Sequence, residues 1–212
     1  MYAKFFKRVI DFTLSLIALI VLSPILLILM IVGAIAMGGN PFFTQMRPGK
    51  IDPKTGKEKI FKLVKFRTMS NKKDKDGNLL PDDVRLNKYG RILRSTSLDE
   101  LPELWSILKG DMAIVGPRPL LVAYLPRYSA QQRRRHDVRP GLTGYAQAYG
   151  RNSLTWEDKF EKDVYYVDNV SFRLDIKIIL KTIAVVFNRE GISSDTSATM
   201  EEFMGSEREC QV

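Results

Sequence analysis

Cysteine and histidine are almost missing: the 212 residues hold one of each, Cys210 and His136. A single cysteine excludes an intramolecular disulfide and suits a reducing compartment. A single histidine excludes a multi-histidine zinc centre, so any metal must be held mainly by oxygen, which means Mg2+ or Mn2+. No GxxxxGK[ST] run occurs, which excludes a P-loop nucleotide-triphosphate enzyme. There is no internal repeat. Lys and Arg total 33 against 24 Asp and Glu, a net charge of +9, yet no recognised nucleic-acid motif accompanies it. The anionic partners are therefore lipid headgroups or phosphate-rich substrates, and no nucleic acid.

Charge is also missing from 12–46, and 16–37 is almost wholly apolar. Length alone reads as a transmembrane helix. Ser23-Pro24 interrupts it: proline has no N–H and its ring clashes with the carbonyl of Ile20, while the Ser23 hydroxyl can satisfy that carbonyl. Split there, the limbs span about 18 and 21 Å, and neither crosses a hydrocarbon core about 30 Å thick. Lys4, Lys7 and Arg8 precede the run, and Arg47, Lys50 and Lys54 open the basic stretch after it. Both ends therefore favour the cytoplasmic side, and a re-entrant hairpin satisfies both where a straight span satisfies one. The division expected is a membrane hairpin over 1–40, a catalytic domain at the cytosolic face over 41–190, and a loosely ordered tail over 191–212.

Beyond Asn40-Pro41 the chain reads as α+β and helix-rich. Residues 60–66 alternate as a strand, and 71–81 form a polar loop with an Asp-Gly turn. Asp74-Lys75-Asp76 has the D-x-D form that can hold a metal–nucleotide sugar, though acidic pairs are common in solvated turns; Gly77 comes too early for a calcium loop. Helices are expected over 82–93, over 101–108 with Lys109-Gly110 as its stop, and over the basic stretch 130–138. Over 174–187, Ile176, Ile179, Leu180, Ile183 and Phe187 share one helical face, suited to a core or to the plane of lipid headgroups.

Asp99 and Glu100 are adjacent carboxylates before Pro102. Ser97-Leu98-Asp99-Glu100 fits a capping box, and acids favour first turns, so helix capping competes with catalysis. The surroundings favour chemistry. Gly116-Pro117-Arg118-Pro119 locks the backbone around one arginine, and Arg139-Pro140-Gly141 repeats the device. Arg91 and Arg94 lie just before the acids.

At this point the chain resembles the bacterial sugar transferases, also called monotopic phosphoglycosyl transferases. The likeness runs through KRVIDF, Ser23-Pro24, FTQMRPG, VKFRTM, SLDELPELWSILKGDMAIVGPRPLL, RPGLTGYAQAYGRN and DVYYV. With no large multispanning region ahead of these motifs, it is similar to the small form that initiates bacterial N-linked protein glycosylation. The resemblance implies transfer of a sugar-1-phosphate from a UDP-sugar, N-acetylated by preference, to polyprenyl phosphate with release of UMP. Asp99 would be the nucleophile, forming an aspartyl-phosphosugar, and a ligand of Mg2+. Glu100 would position or deprotonate the acceptor. Lys65, Arg67, Arg118 and Arg139 would bind phosphate, with Gln147 and Asp163 also drawn to the site. Its place would be the cytoplasmic face of the bacterial inner membrane, in contact with the phospholipid bilayer and handing product to downstream glycosyltransferases. The rival reading is a noncatalytic, membrane-bound binder of lipid phosphate, which needs the arginines but no carboxylate pair.

Overall fold

The computed structural model describes residues 1–150, 154–187 and 202–205, and its architecture is α+β with a long N-terminal apolar helix and small sheets. A π-helical turn, Tyr2–Phe6, leads into α1, Lys7–Met37. The two limbs expected from Ser23-Pro24 are one uninterrupted helical element with Pro24 inside it. Ser23 Oγ donates to the Ile20 carbonyl at 2.8 Å, taking the place of the N–H that Pro24 lacks. Gly38, with φ 65°, ends α1 in the left-handed conformation.

Strands β1 (Phe42–Ile51) and β2 (Glu58–Phe66) pair antiparallel, from Phe42 opposite Phe66 to Ile51 opposite Glu58. Only β2 shows an alternating pattern in the sequence; β1 carries polar residues and Pro48, which mask it. The single helix expected over 82–93 is two: α2 (Asp82–Arg85) and α3 (Lys88–Thr96). Leu86 is extended, and Asn87 restarts the helix by accepting from the Gly90 N–H at 2.8 Å. A 3₁₀ run, Leu98–Glu103, passes into α4 (Leu104–Lys109), stopped by Gly110 at φ 89° as the sequence foretells.

Strand β3 (Ala113–Val115) lies parallel to β4 (Gly141–Thr143). Between them come the 3₁₀ turn Val122–Arg127, α5 (Ala130–Arg133) and a second 3₁₀ turn, Arg134–Asp137. Helices α6 (Tyr145–Ala148), α7 (Trp156–Asp168) and α8 (Phe172–Phe187) complete the elements.

One core packs Phe61, Leu63, Leu104, Ile107 and Met112 against Ala18, Leu19 and Leu22 of α1. Each large side chain buried there contributes roughly 1.5–3 kcal/mol. A second core joins Val115, Ala148, Tyr166 and Ile178. A third is aromatic: Tyr124, Phe160 and Phe203. Phe203 corrects the expectation of a wholly loose tail, since it is buried; the rest of 191–212, beyond 202–205, lies outside the described residues.

Helix α8 buries one face and leaves another, apolar one exposed. Its inward face is Asp175, Ile178 and Val185, while Phe172, Ile176, Leu180 and Ile183 point outward. Leu180 is 62% exposed. Apolar residues therefore occupy both of its faces.

Candidate active site

Strand alternation sets Lys65 on the same face of β2 as the buried Phe61 and Leu63, so its ammonium points inward. Opposite it lies the 3₁₀ run carrying the acids. Ser97, at φ 57°, is the one non-glycine residue in the left-handed region among the described residues and turns the chain out of α3. In 3₁₀ geometry residues three apart eclipse, which brings Glu100 and Glu103 onto one line. Lys65 Nζ reaches both, at 2.7 Å from Glu100 Oε1 and 3.0 Å from Glu103 Oε1. Arg118 Nη2 meets the same Glu100 oxygen at 2.8 Å.

The capping-box alternative does not describe this arrangement. Ser97 makes no side-chain cap, and the Glu100 carboxylate is spent on Lys65 and Arg118. Burial works to raise the Glu100 pKa, but Arg118 and Lys65 outweigh it and hold the carboxyl below its usual range. Glu103 goes the other way: burial and the Glu100 charge raise it against the pull of Lys65. Asp99 is pushed up to about 6 by burial and by Glu100, with Lys65, Arg118 and Arg94 opposing. No hydrogen bond or ion pair engages the Asp99 carboxylate among the described residues.

A cavity of about 930 Å³ opens in front of the acids. Lys65, Arg67, Arg94, Arg118, Gln147 and Asp163 all line it, with Asp99 and Glu100. Arg94 is steadied by Thr68 Oγ1 at 3.0 Å and Met69 Sδ at 2.9 Å. Gln147 donates to the Leu142 carbonyl at 3.2 Å and leaves its own oxygen buried without a partner. Asp163 is already taken: Arg135 pairs with it at 2.7 Å, and the same Arg135 nitrogen donates to the Arg118 carbonyl at 2.7 Å.

Two sequence candidates are placed elsewhere. Arg91 is exposed on α3 and does not reach the cavity. Arg139 donates to the Gly110 carbonyl at 2.9 Å and lines a separate cavity of about 240 Å³ with Lys50, Lys59 and Asp111. The reason lies in the glycines of the two turns. A Cβ on Gly116 would lie 2.3 Å from the Arg139 carbonyl, and one on Gly144 would lie 2.2 Å from the Gly116 carbonyl. The two Pro-locked turns pack on each other, so their arginines leave on different sides. Asp74 of the D-x-D sequence accepts from the Asp76 and Asn78 N–H groups, both at 2.9 Å, and stands apart from the cavity.

Sequence reasoning missed Glu103, Arg47 and Arg135. The spacing of Glu100 and Glu103 was a signal available for the first. Nothing in the sequence distinguishes Arg47 from the basic residues around it.

Comparison with known proteins shows the family of the chain. The family model described as bacterial sugar transferase matches residues 2–189. The chain is 50% identical to the uncharacterized sugar transferase EpsL of Bacillus subtilis (strain 168), over 94% of this chain and 96% of that protein. It is 39% identical to the galactosyl transferase CpsE of Streptococcus agalactiae serotype III (strain NEM316), over 85% of this chain and 42% of that one. It is 38% identical to the UDP-glucose:undecaprenyl-phosphate glucose-1-phosphate transferase of Klebsiella pneumoniae, over 84% of this chain and 39% of that one. The chain thus spans nearly all of the first relative and less than half of the other two.

Proposed function

This chain belongs to the bacterial sugar transferases, and we propose that it moves a sugar-1-phosphate from a UDP-sugar to a polyprenyl phosphate through a phosphosugar carried on Asp99. The observation that carries the reading is the contrast between neighbouring acids. Glu100 is locked to Lys65 and Arg118, whereas Asp99 stands uncommitted among cations in the same cavity.

An oxygen of the Asp99 carboxylate attacks the sugar-proximal phosphorus, and the bond to the bridging oxygen breaks, with its electron pair leaving on UMP. An oxygen of polyprenyl phosphate then attacks the same phosphorus, and the aspartyl oxygen leaves as carboxylate. Two displacements replace one direct displacement between bulky anions. Neither needs a proton, since both phosphate groups are largely ionised near neutrality. Glu100, held ionised, serves to fix Lys65 and Arg118 around the phosphoryl group rather than to accept a proton.

The residues fit Mg2+ as an ion brought with the substrate. Asp99 offers open oxygens, and no group of three or more potential ligands occurs among the described residues, so diphosphate and water would complete the shell. When bound, it would supply neutralisation of phosphate charge beside Asp99.

Membrane association at the cytoplasmic face is part of this reading, supported by the apolar surface and the tethers of α1. Lys7 Nζ binds Asp175 at 2.7 Å and Arg8 donates to the Ile107 carbonyl at 2.6 Å; toward the other end, Tyr89 donates to Leu29 at 2.9 Å and Asn87 to Ala36 at 3.1 Å. A straight crossing helix of 31 residues would be about 46 Å long with its ends on opposite sides of the membrane. One soluble domain grips both ends here, which supports a re-entrant helix with both ends cytoplasmic. The cavity includes Ile179, Ile183 and Val186 of α8, and Ile183 also faces outward, so the hydrocarbon of the acceptor has an apolar way in.

The donor is an N-acetylated UDP-sugar in this reading. Support comes from the resemblance of its motifs to those of the enzymes that initiate bacterial N-linked protein glycosylation. The test is UMP release against a panel of UDP-sugars with undecaprenyl phosphate and Mg2+. Turnover with an N-acetylated donor is expected. Lipid-phosphate binding without release of UMP from any donor would favour the noncatalytic binder.

A further inference from the structure

Arg47, on β1, lines the cavity that holds Asp99, together with Arg118 and Lys159. Its hydrogen bonding is poor for a guanidinium. Nη2 donates to Gln45 Oε1 at 2.6 Å, while Nε is buried with no partner. No carboxylate lies within ion-pair distance of Arg47 among the described residues, although Glu103 acts on it from farther off. Burial and the nearby Arg118 charge push its pKa down to about 10. Burial and Arg118 also lower the pKa of Lys159.

A half-buried cation with an orphaned N–H, placed near a second guanidinium, costs free energy that folding alone does not recover. Arg135 at the same cavity shows what a satisfied buried arginine looks like here, with Asp163, the Arg118 carbonyl and Tyr128 all engaged. Arg118 has Glu100 on one nitrogen. Arg47 alone of the three lines the cavity with no acid to meet it. An anion in the cavity would give this guanidinium the acceptor oxygens it lacks, and a guanidinium presents its nitrogens in the fork that phosphate fits.

We propose that Arg47 holds a phosphate other than the one Asp99 attacks, in the cavity it shares with Arg118 and Lys159. The ligand class is a phosphate group: a monoester dianion in the acceptor or in released UMP, a monoanion in the intact donor diphosphate. Two sources exist within the transferase reading, on which this inference rests: the UMP part of the donor and the headgroup of the acceptor.

The test uses the full-length, detergent-solubilised protein and two probes that need no turnover, UMP and decyl phosphate, with binding measured by calorimetry. Arg47→Gln is expected to weaken one probe at least tenfold while the other changes less than twofold. Loss of UMP binding assigns the site to the donor; loss of decyl phosphate binding assigns it to the acceptor. Arg47→Lys keeps the charge but not the fork, and is expected to lose threefold or more for the same probe. Should Arg47→Gln fail to fold, the Lys variant carries the test. Wild-type affinity for both probes in a folded Arg47 variant would overturn the proposal. That result leaves the transferase reading standing wherever the wild type still releases UMP; a wild type without UMP release removes that reading whatever Arg47 does.

Discussion

Arg135 donates from Nη2 to the backbone carbonyl of Arg118 at 2.7 Å. Through that bond a buried ion pair, Arg135 with Asp163, reaches the arginine that grips Glu100. Asp163 therefore acts on the site through two intermediaries and need not touch a substrate. Asp163→Asn removes one charge of a fully buried pair and strands the other, which costs about 3–5 kcal/mol. Urea unfolding should show that loss, with turnover falling in parallel. An unchanged midpoint with lost activity would instead put Asp163 in direct contact with substrate.

Arg118→Lys retains the charge and loses the fork. The expected result is a fall of at least tenfold in kcat/KM, or about 1.4 kcal/mol of transition-state stabilisation, with membrane association intact. Near-normal turnover would make Arg118 a structural partner of Glu100 and no more.

His136 is buried, with Nδ1 3.1 Å from the Gly49 carbonyl and Nε2 without a partner. Burial first, and then the Arg135 charge, push its pKa down from 6.5 to about 4. The unfolded chain then binds the proton more readily than the folded one. Stability is full above about 6.5 and drains away as pH falls toward 4, by at most about 3 kcal/mol. His136→Gln should flatten that part of the stability–pH curve relative to wild type. Parallel curves for the two proteins would show that His136 is not the group responsible.

Much of this was legible in the residues. The alternation of 60–66 gave the strand that presents Lys65, and Lys109-Gly110 marked the end of α4. The Pro-locked turn around Arg118 and the adjacent acids pointed to residues that line one cavity. Other parts depend on contacts distant in sequence. Arg139 looks like a twin of Arg118, but the glycines of the two turns pack together and send it to Gly110. Asn87 splits an expected helix because it can cap α3 while also donating to the end of α1. Strand β1 follows from pairing with β2, and no alternation of its own announces it. For α8 the period was plain, but which apolar face turns inward was fixed by Asp175, whose carboxylate collects Tyr2, Lys7 and Tyr166.

The re-entrant arrangement makes a prediction about side. Cysteines placed at Lys4 and Lys50 should both react with an impermeant thiol reagent from the cytoplasmic side of oriented vesicles, in a protein lacking Cys210. Reaction of position 4 only from the opposite side would end the re-entrant reading. Pro24→Leu should move part of the population toward crossing, because the backbone at Ile20 no longer has to accommodate a ring.

The outward face of α8 makes another. Leu180 is exposed and does not line the cavity. Leu180→Glu should weaken binding to vesicles while leaving the release of UMP in detergent unchanged. Equal vesicle binding by this variant would show that α8 does not lie against lipid.

The most direct measurement is the intact mass of the protein incubated with UDP-sugar and Mg2+ and no acceptor. Wild type should gain one phosphosugar, release up to one equivalent of UMP, and lose the added mass when polyprenyl phosphate is supplied. Asp99→Asn keeps the shape but has no anionic oxygen with which to attack, so adduct and turnover should both vanish. Asparagine caps a helix about as well as aspartate, so a purely structural Asp99 would tolerate the change. An Asp99→Asn enzyme with near-full turnover, or a wild type that transfers sugar phosphate without ever carrying it, would contradict covalent catalysis at Asp99.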